Sequence, residues 1–124
     1  MHLCYDPATD RLILAIRVDP RDRCGEVPLD LGVAEIPCIL DVAGEGRLLG
    51  IELRLAALHP SLRCRFASPD ETLYLELESD TDPRVVRSVV APGQVRWHPA
   101  TGRIEVCLPR RTTHYELLYP SGAT

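Results

Sequence analysis

The chain has 124 residues, 45% of them hydrophobic, which suffices for one domain with its own core. Its 14 basic residues are all arginine and are outnumbered by 18 acidic residues, so the formal net charge is −4. This balance argues against a nucleic-acid partner, because a dedicated DNA-binding surface would be basic. No signal peptide is visible at the N-terminus, and no run approaches the roughly 18 apolar residues of a membrane span. We therefore expect a cytoplasmic protein with no membrane partner.

The dominant sequence period is two, which is typical of β-strands. Eleven prolines and eight glycines interrupt the chain too often for long helices. A helical turn or two is expected only near 55–62, where Pro60 limits the length. The predicted strands are 11–18, 36–42, 48–55, 72–79, 84–90, 94–98, 103–108 and 114–119. The chain is thus predicted to be mainly β, with antiparallel hairpins packed as one sandwich- or barrel-like domain; an α+β fold is the alternative.

Two nearly identical stretches, "DPATDR" at 6–11 and "HPATGR" at 98–103, predict hairpin turns. In each, proline presets the first turn position, and Asp10 or Gly102 takes the left-handed position that closes the loop. One register then places all apolar partners on the same face. The predicted cross-strand pairs are Asp6–Arg11, Tyr5–Leu12, Leu3–Leu14, His98–Arg103, Trp97–Ile104, Arg96–Glu105 and Val95–Val106.

The apolar positions also predict an internal repeat, with one copy in 1–62 and the other in 63–124 of a single domain. At an offset of 61, Leu12, Leu14 and Ile16 fall on Leu73, Leu75 and Leu77. At an offset of 55, Leu40, Val42, Leu49, Ile51 and Leu53 fall on Val95, Trp97, Ile104, Val106 and Leu108. A unit of about 60 residues buries little surface by itself, so joining two of them is physically reasonable.

The first copy, "YDPATDRLILAI…EVPLDLGVAEIPCILDVAGEGRLLGIEL", resembles the bacterial YuzE-like family over roughly residues 3–60. The matching residues are Tyr5, Asp6, Pro7, Asp10, Leu12, Asp41, Gly46, Leu49, Gly50, Ile51 and Glu52. The second copy keeps the pattern less well, because 68–77 lacks the Tyr-Asp opening and 98–108 lacks the Gly-Ile-Glu ending. The resemblance implies a small β-rich unit and no reaction, ligand or catalytic residue.

We assign no catalytic residue, and His98 is the candidate for a general acid or base. Its alternative interpretation is a polar residue at the mouth of a hairpin turn. A nucleophilic pair of His98 or His114 with Cys107 would need a lowered thiol pKa, for which the sequence offers no cause. The five cysteines include no pair at C-x-x-C spacing, and the histidines lack zinc-ligand spacing, so we predict no metal and no cofactor.

The candidate anion-binding residues are Arg96, Arg103, Arg110 and Arg111, because arginine forks recognise phosphate or carboxylate. They lie in the segment 84–124, which contains six arginines and two acidic residues. The acidic stretch 68–83 is expected to line an edge strand or to pair with these arginines. The preferred functional hypothesis is a non-enzymatic binding or assembly module that forms a homo-oligomer or binds a protein partner. The alternative is a small enzyme or ligand-binding protein that acts on an anionic small molecule through an Arg/His cluster.

Overall fold

A computed structural model describes residues 2–17, 34–43, 46–66, 71–76 and 87–118. The strands are β1 (His2–Asp6), β2 (Arg11–Arg17), β3 (Ala34–Val42), β4 (Leu48–Arg54), β5 (Thr72–Glu76), β6 (Arg87–His98) and β7 (Arg103–Pro109). A short helix α1 (Pro60–Arg63) leads directly into a 3₁₀ turn (Cys64–Phe66). The prediction of a mainly β fold is confirmed.

The seven strands form one curled antiparallel sheet in the order β1-β2-β7-β6-β3-β4-β5. The two hairpins β1–β2 and β6–β7 lie on one side of the sheet, and β3–β4–β5 form the other side. The two sides join where β3 pairs with β6 over nine residues, from Ala34–Val95 to Val42–Arg87. The described strands therefore belong to a single sheet with β1 and β5 at its edges.

Both hairpin registers predicted from the turn motifs are confirmed. β1 pairs with β2 through Asp6–Arg11, Tyr5–Leu12 and Leu3–Leu14. β6 pairs with β7 through His98–Arg103, Trp97–Ile104, Arg96–Glu105 and Val95–Val106. The two left-handed turn positions are also those expected, with φ of 54° at Asp10 and 62° at Gly102. Local turn chemistry and the two-residue period were therefore sufficient to set these registers.

Three of the predicted strands differ from the observed ones, whereas the short helical segment lies near 55–62 as expected. Its α-helix begins at Pro60, because proline lacks only an N–H that is unpaired anyway in the first turn. Segments 84–90 and 94–98 belong to one strand in their described part, 87–98. In place of a strand at 114–119, the structure describes an isolated bridge between Arg111 and Glu116. The remaining parts of 72–79 and 114–119 and residues 84–86 lie outside the described residues.

The core lies on one face of the sheet, which we call the inner face. Its fully buried strand residues are Leu12, Leu14, Ile36, Cys38, Leu40, Val42, Ile51, Leu53, Ala91, Ile104, Val106 and Leu108. Leu58, Leu62 and Phe66 around α1 and Tyr115 and Leu117 from the C-terminal segment pack against them. Because side chains alternate along a strand, the neighbouring residues of each strand lie on the opposite face, which we call the outward face.

The strand order and registers agree with the offsets of 55 and 61 that the sequence predicts. Exchanging β2 with β5, β3 with β6 and β4 with β7 reverses the order β2-β7-β6-β3-β4-β5 onto itself. The registers follow: Leu40–Ile51 becomes Val95–Val106 at the offset of 55, and both pairs are observed. Leu14–Val106 likewise becomes Leu75–Ile51 at offsets of 61 and −55. At the offset of 55, Pro37 falls on Pro92, and these two residues are cross-strand partners.

The cysteines occupy different chemical states. Cys64 is disulfide-bonded, whereas Cys4, Cys38 and Cys107 are free thiols. Cys38 is fully buried in the core, and burial raises its pKa to about 12. In the described part of the chain, no helix has the length and apolar character needed to cross a membrane.

Candidate functional site

The centre of the outward face is an exposed apolar surface, formed by Pro37 and Ile39 of β3 and by Val90 and Pro92 of β6. We call these four residues the apolar centre. Their backbones are cross-strand partners, because Pro37 pairs with Pro92 and Ile39 with Val90. Val90 is 67% exposed, and a shallow groove runs beside it between the two prolines and Glu35. Among the described residues, the large hydrophobic side chains that are exposed are those of Tyr74, Val90 and Leu118.

One corner of the outward face is acidic. Asp41 lies near the end of β3, Glu52 on β4 and Glu76 on the edge strand β5, and we call these three residues the acidic corner. Arg54 forms an exposed ion pair with Glu52, with 3.3 Å between Nε and Oε2. One cation against three carboxylates leaves this corner net negative.

A hydrogen-bonded cluster holds the acidic corner together. The hydroxyl groups of Tyr74 and Ser88 each donate to the carboxylate of Asp41 at 2.8 Å. The Tyr74 ring crosses Gly50, where a Cβ would lie 2.0 Å from the phenolic oxygen. Desolvation of the hydroxyl and its bond to Asp41 raise the pKa of Tyr74 to about 12, so it stays protonated as a donor at neutral pH. The cluster thus fixes a 51% exposed aromatic ring on the surface.

The diagonally opposite corner carries Arg96 of β6 and Arg103 of β7, which we call the basic corner. Both side chains are exposed. Between them in register lies Glu105, whose Oε1 is 2.6 Å from Nε2 of His98. The candidate acid/base His98 is therefore engaged by a neighbouring carboxylate at a turn, with its side chain 44% exposed on an open face.

The other two predicted arginines lie at the far end of β7. Arg110 donates from Nε to Asp10 Oδ1 at 2.6 Å, and Tyr5 donates its hydroxyl to the same oxygen at 2.7 Å. Nη2 of Arg111 lies 3.8 Å from the other Asp10 oxygen. The hydrogen bond from Arg110 lowers the pKa of Asp10, and the hydrogen bond that Tyr5 donates to Asp10 raises the pKa of Tyr5. Arg110 also donates to the carbonyl of Leu117, so this cluster ties the β1–β2 turn to the C-terminal segment.

The structure therefore divides the four predicted anion-binding arginines into two pairs. Arg103 and Arg110 are seven residues apart along the direction of β7, which corresponds to about 23 Å. Among the described residues, no salt bridge engages Arg96 or Arg103, whereas Arg110 is neutralised by Asp10. Arg87, at the start of β6, donates to the carbonyl of His114 at 3.4 Å, whereas His98 ends β6. The two histidines therefore lie at opposite ends of this strand.

Cys107 is not arranged as a nucleophile. It lies on the same face as Arg96, as expected from the register, but its side chain is buried. Burial raises its pKa, the opposite of the activation that a nucleophilic thiol requires. Among the residues with described positions, no three His, Cys, Asp or Glu side chains come close enough to hold a metal ion.

The apolar centre and the Asp41–Tyr74–Ser88 cluster were not predicted as site features. The available signal for the first was a proline in each of the two central strands, Pro37 and Pro92, at the offset of 55. The cluster joins residues 33 and 47 positions apart, and no local pattern marks such a set. Comparisons with protein-family models, curated proteins and solved structures found no match to the chain.

Proposed function

We propose that the protein is a non-enzymatic binding or assembly module and that the outward face of its sheet is the binding surface. The observation that carries the proposal is the 67% exposed Val90 at the middle of the apolar centre. The solvent-facing side of a sheet normally carries polar residues at such positions. Covering an aliphatic side chain removes apolar surface from water, which lowers the free energy.

The arrangement of charges supports the same function. An apolar centre with a charged rim is the usual composition of a protein–protein contact. The groups that an enzyme would need are dispersed: His98 contacts Glu105 at one end of the sheet, and Arg110 contacts Asp10 at the other. The groove that the described residues form lies beside Val90 and the two prolines, away from His98 and Glu105.

The proposal includes an origin by duplication, with residues 1–62 and 63–124 as diverged copies related to the YuzE-like family. Support comes from the strand registers that agree with offsets of 55 and 61. In such a protein the two copies of a surface start out identical and can then diverge. Asp41 and Arg96 occupy equivalent positions at the offset of 55, so the two copies carry opposite charges at that position. The disulfide of Cys64 is typical of oxidising compartments, so the proposal does not extend to a cytoplasmic location.

Site-specific photo-cross-linking in the cells that produce the protein tests this function. A benzophenone-bearing phenylalanine analogue is placed at Val90 and, as the matched control, at Leu118, which is 55% exposed but outside the sheet face. We expect a discrete protein adduct from position 90 and none from position 118. A folded, expressed protein that yields no adduct at position 90, or equal adducts at both positions, would overturn the proposal.

A further inference from the structure

We propose that the partner of the outward face is a second copy of this chain, bound face to face so that the acidic corner of each copy contacts the basic corner of the other. This inference rests on the proposed function, because it names the partner of the same surface. It adds a specific geometry. The two-fold axis lies in the plane of the interface, along the diagonal that joins the two corners without a charge cluster.

The first argument is the position of the charges. Asp41 pairs with Ser88 in register, and Arg96 is eight residues from Ser88 along β6, or about 27 Å away. Glu76 lies on β5, beyond β3, whereas Arg103 lies on β7, beyond β6. The two clusters therefore occupy opposite corners with the apolar centre between them. A two-fold rotation that superimposes the two apolar centres face to face can bring each acidic corner onto a basic one.

The second argument is self-complementarity. A symmetric dimer uses the same patch on both copies, so the patch must carry both signs of charge or neither. A foreign partner would require no such balance. Here the acidic and basic groups stand on either side of one apolar centre, which satisfies this requirement within a single copy.

The third argument is size. Seven strands about 4.8 Å apart, with a mean length of about seven residues, give a face of roughly 34 by 24 Å. Two such faces together bury on the order of 1,600 Å², which lies within the range of specific, stable interfaces. Val90 and the two prolines would form the desolvated middle, with Tyr74 and the charged groups at the rim.

Sedimentation velocity of the purified protein, with its disulfide intact, tests the dimer. Across micromolar concentrations we expect a species of twice the chain mass of 13.8 kDa. Its dissociation should be promoted by salt, since the rim charges are exposed. Val90→Glu should weaken association at least tenfold, whereas Leu118→Glu should leave it unchanged. A wild-type protein that stays monomeric throughout would overturn the inference.

Charge reversal identifies the geometry. One variant carries Glu52→Arg and Glu76→Arg, so that both of its corners are basic; the other carries Arg96→Glu and Arg103→Glu, so that its charges there are acidic. Each should associate at least tenfold more weakly than wild type, because like charges then meet at both contacts. An equimolar mixture should recover a heterodimer, in which every contact is again between opposite charges.

The outcomes separate the two proposals. If both reversed variants retain the wild-type circular dichroism spectrum but their mixture stays monomeric, the face-to-face geometry is wrong. If position 90 cross-links to a different protein and the purified chain is monomeric, the binding function stands and the second copy is excluded as its partner. If position 90 yields no adduct, the proposed function fails as well.

Discussion

Gly93 should be intolerant of any side chain because the thiol of Cys38 occupies the space above it. A Cβ at position 93 would lie 2.6 Å from Cys38 Sγ and 3.2 Å from Val106 Cγ1, well inside the roughly 3.5–4.0 Å of a favourable contact. Cys38 in β3 and Gly93 in β6 are both buried, and the backbones of these two central strands pair over nine residues, more than any other two strands described. Gly93→Ala should therefore lower the free energy of unfolding by about 1–3 kcal/mol, the usual cost of overpacking.

Removal of the obstructing sulfur should relieve this strain. Cys38→Ala alone should cost about 1 kcal/mol, for one buried heavy atom and the small cavity it leaves. In the double variant the new methyl group occupies part of that cavity. The destabilisation of the double variant should therefore be smaller than the sum of the two single destabilisations by at least about 1 kcal/mol. Urea unfolding followed by Trp97 fluorescence, without reductant so that the Cys64 disulfide persists, measures all three values.

The matched control pairs Gly93→Ala with Cys107→Ala. Cys107 is also a buried free thiol, but its side chain lies on the opposite face of the sheet from Cys38. The two costs should therefore add. Additivity in the Cys38 pair, to within about 0.5 kcal/mol, would refute the assignment of the strain to the Sγ contact.

Three further predictions concern single groups. Asp10→Asn should destabilise the protein, and because Arg110 lowers the Asp10 pKa, the loss should be full above about pH 5 and should shrink as the pH falls through the lowered pKa; a loss independent of pH would contradict the ion pair. Tyr115→Phe should cost about 1–2 kcal/mol in thermal unfolding, because the Pro109 carbonyl loses a hydroxyl donor at 2.7 Å; an unchanged melting temperature would contradict this. Cys38, with a pKa of about 12, should resist iodoacetamide at pH 8 in the native state and react after unfolding; rapid native labelling would show that the core opens.

The hairpins could be predicted to the residue because their determinants are local. In β6–β7 the alternation of apolar residues allows one register, and a glycine at the left-handed position closes the turn that enforces it. The same holds for β1–β2, where Asp10 takes that position. The segment 114–119 alternates as well but forms only an isolated bridge in its described part. Alternation records which residues face the core, and Tyr115 and Leu117 do so without a strand.

The candidate site could be predicted only in part. Arg96 and Arg103 were identified by residue type, and the hairpin register correctly placed them on one face. Arg110 was identified for the same reason, yet it is held by Asp10, a residue 100 positions away. The sequence does not distinguish an arginine that is paired within the chain from one that is not. The division of the four arginines into two pairs therefore required the structure.

The sequence by itself determined the class of fold, the two terminal hairpins and the face that each strand residue presents to the core. Those properties follow from the two-residue period and from turn residues close in the chain. The tertiary structure alone decided that β3 and β6 meet at the centre, that Pro37 lies beside Pro92, and that acidic and basic groups occupy opposite corners around Val90. Pairing between strands some 50 residues apart depends on which edges remain open once the hairpins have formed, and no local pattern specifies that choice.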